Sequence, residues 1–69
     1  MNKEWIEIAN GMNITEPVIS KIHRKCHRAT FDMKLSETMS MVVEVDAPSP
    51  ERLQEKINHL KETGIILRN

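Results

Sequence analysis

Two alternating runs separated by three polar residues constrain this chain more than any other feature. Thr30 to Leu35 sets Phe31, Met33 and Leu35 against Thr30, Asp32 and Lys34, and Met39 to Val45 sets Met39, Met41, Val43 and Val45 against Ser40, Val42 and Glu44. A period of two with one apolar side is the pattern of a half-buried strand. The break Ser36-Glu37-Thr38 is short enough for the two runs to be antiparallel hairpin neighbours. Any fold for this chain must therefore contain a sheet with one covered face, and the rest of the chain must supply the cover.

That cover begins with a helix predicted downstream. Ala47-Pro48-Ser49-Pro50-Glu51 stops the second run, and Ser49 followed by Pro50 is a strong helix start. Leu53, Ile57 and Leu60 recur as one helical stripe, Gly64 ends it, and Ile65-Ile66-Leu67 is expected to form a last short strand. Upstream, Glu4 to Ala9 alternates Ile6 and Ile8 with Trp5 and Glu7 as a first strand, and Asn10-Gly11-Met12-Asn13 reads as an exposed loop. From Pro17 to about Arg28, Val18, Ile19, Ile22 and Cys26 recur at three and four residues. Together with Thr15 or Glu16 as a cap and basic residues at the far end, this predicts another helix.

The resulting order is strand, helix, strand, strand, helix, strand in a single domain over residues 1–69. The expected fold class is α+β: a two-layer, ferredoxin-like βαββαβ sandwich, with a four-stranded antiparallel sheet and two helices on one face. Right-handed crossovers would set the first strand beside the third, leaving the second and fourth at the edges. Trp5, Val42, Ile65 and Leu67 would project from the uncovered face as a subunit interface, and the two edges would invite a second copy.

Charge and composition narrow the function. Ten Lys and Arg balance ten Asp and Glu, so no global field gathers nucleic acid or anionic membrane. Trp5 and Phe31 are the only aromatic residues, which leaves little to stack on bases and argues against nucleic acid as partner. Cys26 is the single cysteine, which excludes an internal disulfide and fits a reducing, cytoplasmic setting. The first residues lack a signal-peptide core, and no run is apolar enough for a membrane span.

His23, Cys26 and His27 invite a zinc or nucleophile reading. On a helix, however, Cys26 would join the buried stripe of Val18 and Ile22 while the histidines took another face among cations. The carboxylates form no pair that the pattern forces together, and Met33, Met39 and Met41 read as core filler. The expectation is a non-enzymatic chain with no metal and no cofactor. The basic segment His23 to Arg28 reads as dipole complementation, with a contact to acidic partners as the alternative.

The order of elements, and the segments Trp5 to Asn10, Val18 to Lys25, Thr30 to Met33, Met39 to Val45 and Ser49 through Leu60, together resemble the ACT domain, a regulatory module of amino-acid metabolism. Within it they resemble the small regulatory subunits of acetolactate synthase, in branched-chain amino-acid biosynthesis. The resemblance implies a homodimer docked on a large catalytic subunit that itself holds the thiamine diphosphate, magnesium and flavin. It also implies a small amino-acid effector at the loop Asn10, Gly11, Met12 and Asn13, where Asn10 matches the family's Asn after the first strand. Gly11 to Val18 is also similar to a heavy-metal-associated domain, but Ile14 and Pro17 stand at its two cysteine positions. The remaining alternative is a protein-interaction or nucleic-acid adaptor acting through His23 to Arg28.

Overall fold

A computed structural model describes residues 3–67. Strand β1 (Ile6–Glu7) leads through a 3-10 turn at Ala9–Gly11 into β2 (Asn13–Ile14), followed by β3 (Val18–His23), β4 (Cys26–Lys34), β5 (Ser40–Ala47) and helix α1 (Pro50–Thr63). All five strands join one antiparallel sheet. The long β4 is its centre: β5 pairs along one flank, β2 and β3 lie end to end along the other, and β1 extends the sheet beyond β2.

The α+β class and the antiparallel sheet agree with the sequence reading, as does the hairpin of β4 and β5. In that hairpin Phe31 pairs with Val43, Ala29 with Val45 and Met33 with Met41. Residues opposite one another share a face, so these pairs line the covered side. Ile14, Ala29, Phe31, Val45 and Ala47 are buried there beneath Leu53, Ile57 and Leu60 of α1, with Ile8, Met33 and Val43 packed at the margin.

Helix α1 forms where Ser49 to Gly64 predicts it. The Ser49 hydroxyl accepts the Arg52 N–H at 3.2 Å, Pro50 opens the first turn, and Arg52 and Glu55 pair at 2.6 Å one turn apart. At the other end Gly64 adopts φ 73° and donates its N–H to the Leu60 carbonyl at 2.7 Å. A Cβ at Gly64 would also sit 2.9 Å from Asn10 Nδ2 and 3.0 Å from Met12 Sδ. Glycine is thus demanded here twice, by backbone and by space.

The predicted helix over Pro17 to Arg28 is replaced by strand β3, a two-residue turn at Arg24 and Lys25, and the start of β4. Val18, Ile19 and Ile22 are β-branched and suit a pleated strand, and β4 offers its free flank. The described residues therefore hold one helix and five strands, and the two-helix ferredoxin-like order is not formed. Consequently Val18, Ile22 and Cys26 do not share a buried stripe: Val18 and Ile22 are exposed and Cys26 is half-buried.

Ile65-Ile66-Leu67 forms no strand either, because the Gly64 cap and a bond from the Ile65 N–H to Thr63 Oγ1 hold the chain against the helix end. The first strand is only Ile6–Glu7 and pairs with β2, so it does not lie beside the third predicted strand. Met33 packs on the core as expected, whereas Met39 and Met41 are exposed, since α1 does not reach their end of β5.

Replacing Gly64 with Ala should lower unfolding free energy by about 1–2 kcal/mol, from the left-handed backbone and the crowding of Asn10. Leu53→Ala, at a fully buried position, should cost about 2–5 kcal/mol. Urea unfolding followed by circular dichroism measures both.

Candidate interaction surface

The loop Asn10 to Asn13, expected from sequence to meet an effector, is tied to the end of the helix. Asn10 and Gly11 take left-handed backbone angles, φ 64° and 69°, which reverse the chain between β1 and β2. The Met12 carbonyl accepts the Ile8 N–H at 2.7 Å, and Asn13 Nδ2 reaches the Gly11 carbonyl at 3.4 Å. Asn10 Nδ2 donates to the Thr63 carbonyl at 2.9 Å, satisfying an acceptor at the C-terminus of α1 that the helix leaves open. The side chain proposed to meet an effector is thus engaged in fastening loop to helix.

The four predicted interface residues are split. Trp5 and Val42 lie on the uncovered face, Trp5 half-buried and Val42 64% exposed. Ile65 and Leu67 instead follow α1, outside the sheet, and do not extend that face. Beside Trp5 an open groove of about 450 Å³ is lined by Lys3, Lys34, Met39 and Ser40 among others. Lys3 crosses it, with its Nζ 3.0 Å from Asp32, 3.1 Å from Ser40 Oγ and 5.8 Å above the Trp5 ring.

Charge on this face is internally paired. Arg28 forks onto Asp46 from the neighbouring strand, with Nε–Oδ1 at 2.7 Å and Nη2–Oδ2 at 3.1 Å, and its Nη1 is 3.5 Å from Glu44. These contacts, the hydrogen bond to Asp46 first, hold the guanidinium pKa above its usual value. The same hydrogen bond holds the Asp46 carboxyl below the ordinary carboxylate range, against a smaller opposing effect of lost hydration. On the covered side Lys56 Nζ donates to the Asp46 carbonyl at 2.7 Å, so a buried lysine also secures this end of β5.

His23 and Cys26 stand opposite one another across the turn, whereas His27, the next residue of β4, takes the other face of the sheet. His23 sits at the end of β3, with its Nδ1 accepting the Lys25 N–H across the turn, and His27 lies in β4 opposite Lys21 and Ala47. Cys26 lines a shallow hollow of about 250 Å³ with Lys25, Asp46, Ala47 and Pro48. Among the described residues, no group of three or more His, Cys, Asp and Glu gathers where a metal ion could be held.

What remains unsatisfied is the edge of β3. All six residues are exposed, with Val18 at 66%, Ile19 at 51% and Ile22 at 48%, because α1 packs on β4, β5 and the Ala9–Gly11 turn. The alternation of the ladder shows which main-chain groups are free. Leu35 N–H donates to the Met39 carbonyl on the β5 side, and Thr15 N–H donates to the Asp32 carbonyl on the other. Asp32, Thr30 and Arg28 therefore turn their backbone groups toward β2 and β3, Val18 and Ser20 answer them, and Ile19 and Lys21 turn theirs to the open side. The helical reading of this segment hid the edge from sequence analysis; its β-branched residues were the available signal.

Comparison with protein-family models, with curated proteins and with solved structures gives no match.

The Arg28–Asp46 pair should leave a mark on acid stability. Because Asp46 titrates lower when folded, its contribution is complete above the ordinary carboxylate value and disappears as pH falls through the depressed one. The difference in Tm between the wild type and Asp46→Asn should therefore shrink on acidification, and also in high salt, since the pair is on the surface. Thermal melts across pH at two salt concentrations check this.

Proposed function

We propose that this chain is a non-enzymatic protein-binding module that receives a partner strand along β3. The single observation that carries the reading is an exposed six-residue edge bearing Val18, Ile19 and Ile22, with the backbone groups of Ile19 and Lys21 directed outward. An edge of this kind is a template for pairing, and β3 is blunted only by Lys21, by Pro17 just before it and by the irregularity between Lys21 and His23. Arg28, Lys34, Asp32, Glu44 and Asp46 elsewhere on the sheet are already paired within the chain.

A cytoplasmic setting suits the free thiol of Cys26. Among the described residues no helix is long and apolar enough to cross a membrane. Partnership with an acetolactate synthase catalytic subunit is a narrower proposal within this reading. It rests on the resemblance of Met39 to Val45 and of Ser49 through Leu60, and the Asn10 clasp gives an amino-acid effector little to bind. Co-expression with such a subunit, giving no co-purification, would remove the narrower proposal and leave the wider one intact.

Lys21→Pro tests the wider reading, because proline there deletes only a donor facing the open side and spares the ladder to β4. Proteins captured from the source cells by the wild type should be lost with Lys21→Pro and retained with Val42→Lys, on the uncovered face. Capture that is indifferent to Lys21→Pro, in a variant with unchanged circular dichroism, would sink strand pairing as the mode of binding.

A further inference from the structure

We infer that the occupant of the β3 edge is the β3 strand of a second copy, paired antiparallel about a two-fold axis through Ser20. The inference rests on the binding reading above and specifies its partner. In an antiparallel pair, residues directly opposite have side chains on the same face, so a two-fold axis normal to the sheet can pass only through a residue and its own copy. Candidate axes on β3 are therefore few, and the sequence Val18-Ile19-Ser20-Lys21-Ile22-His23 discriminates among them.

An axis at Lys21 would set two ammonium groups directly opposite, which is repulsive. An axis at Ile19 would place Pro17, which has no N–H, against the outward-facing backbone of Lys21 and lose donors from the ladder. With the axis at Ser20, two small neutral side chains meet at the centre. Ile19 then faces the aliphatic stem of Lys21 of the second copy, and Val18 lies toward its Ile22 end, where the irregularity before His23 closes the regular ladder. The outward main-chain groups of Ile19 and Lys21 pair with each other across the junction, each donating and accepting.

Charge at the ends agrees with this register. The hairpin tip after β3 carries Arg24 and Lys25, and the approach to β3 carries Glu16, whose only ion-pair partner among the described residues is Lys61 at a long 3.8 Å. Antiparallel pairing about Ser20 brings the basic hairpin tip of each copy toward the acidic approach to β3 of the other, at both ends of the junction. The β5 edge lacks this complementarity: Glu44 and Asp46 share the one cation Arg28, and Lys56 Nζ already occupies the Asp46 carbonyl. Of these two edges, β3 is the self-complementary one.

A junction of one strand pair buries less than the ~1,200 Å² of a standard stable interface, so the association belongs at the concentration-dependent end of the range. Sedimentation equilibrium of the full chain, from micromolar to millimolar, should show monomer passing to dimer and no further. Ser20→Glu should raise the dimer dissociation constant roughly tenfold or more, because it places like charges directly opposite at the axis while facing Arg28 within the chain with no repulsion. Its circular dichroism should be unchanged, since Ser20 is exposed. Val42→Lys should leave the association as it is.

In a Cys26→Ser background, Ser20→Cys should form an intermolecular disulfide on mild oxidation, because Ser20 would lie in a closely spaced pair about the axis. A wild type monomeric at millimolar concentration would overturn the inference, as would a dimer that Ser20→Cys does not cross-link. A polymer growing with concentration would also overturn it, by showing β3 on β5 in an open array. A monomer whose capture of other proteins still depends on Lys21 would leave the binding reading standing. A cross-linked dimer with capture indifferent to Lys21→Pro would remove the binding of other proteins through this edge and retain the self-pairing.

Discussion

Every other element is placed by the fact that β4 is hydrogen-bonded on both flanks. Its nine residues pair with eight of β5 on one side and, on the other, with β2 and β3 in succession. The second flank is not continuous. Ile14 opposes Met33 and Val18 opposes Thr30, so the chain between them carries one residue more than β4 does. The extra residue is accommodated at Thr15 to Pro17, where the Thr15 hydroxyl accepts the Asp32 N–H at 2.8 Å and Thr15 N–H donates to the Asp32 carbonyl at 2.9 Å. This bulge sends Ile14 into the core and then re-aims the strand, so that β3 runs beyond the helix.

The consequence is a small core and a long overhang. Among the described residues eight apolar ones are buried, gathered where α1 crosses the β4 and β5 face and the Ile14 end of the sheet. A chain of this length buries a modest fraction of its surface, and one helix of 14 residues covers only part of a sheet whose central strands are eight and nine residues long. The clasp from Asn10 to Thr63 fastens the C-terminal end of the helix to the β1–β2 turn, and the bond from Lys56 to Asp46 fastens its middle to β5. Such polar fastenings matter more when the apolar area between them is limited. What lies beyond them, β3 and the tip of its hairpin, is held by main-chain pairing to β4 alone.

The elements with a covered face were legible in sequence. In β4, β5 and α1, burial imposes a period, and the period appears in the residues: Phe31 and Met33, Val43 and Val45, Leu53, Ile57 and Leu60. The capping residues Ser49 and Gly64 marked the helix to within a residue, because their chemistry is local. Pro17 to Arg28 was misread for the opposite reason. An overhanging edge strand has no face to bury and so no enforced alternation, and irregularities before Val18 and between Lys21 and His23 break what alternation there is. The apolar residues then fell by chance at helical spacing. The turn at Arg24 and Lys25 contains none of the glycine or asparagine that usually announces a tight hairpin.

That misreading also concealed the candidate site, because the site is a property of the sheet edge and not of any residue type. Val18, Ile19 and Ile22 on a helix would be ordinary core residues, and on a central strand they would be covered. Only as an edge beyond the reach of α1 do they become an exposed apolar margin with free backbone groups. The same change of element turns Arg28 from a helix-terminal cation into the cross-strand partner of Asp46 and Glu44, removing it from the basic run His23 to Arg28 as a free charge. The basic segment is thereby reduced to a hairpin tip, and tip and edge are parts of one surface. A reading of function from this chain therefore has to begin with strand pairing, since pairing decides both which apolar residues stay exposed and which charges stay unmatched.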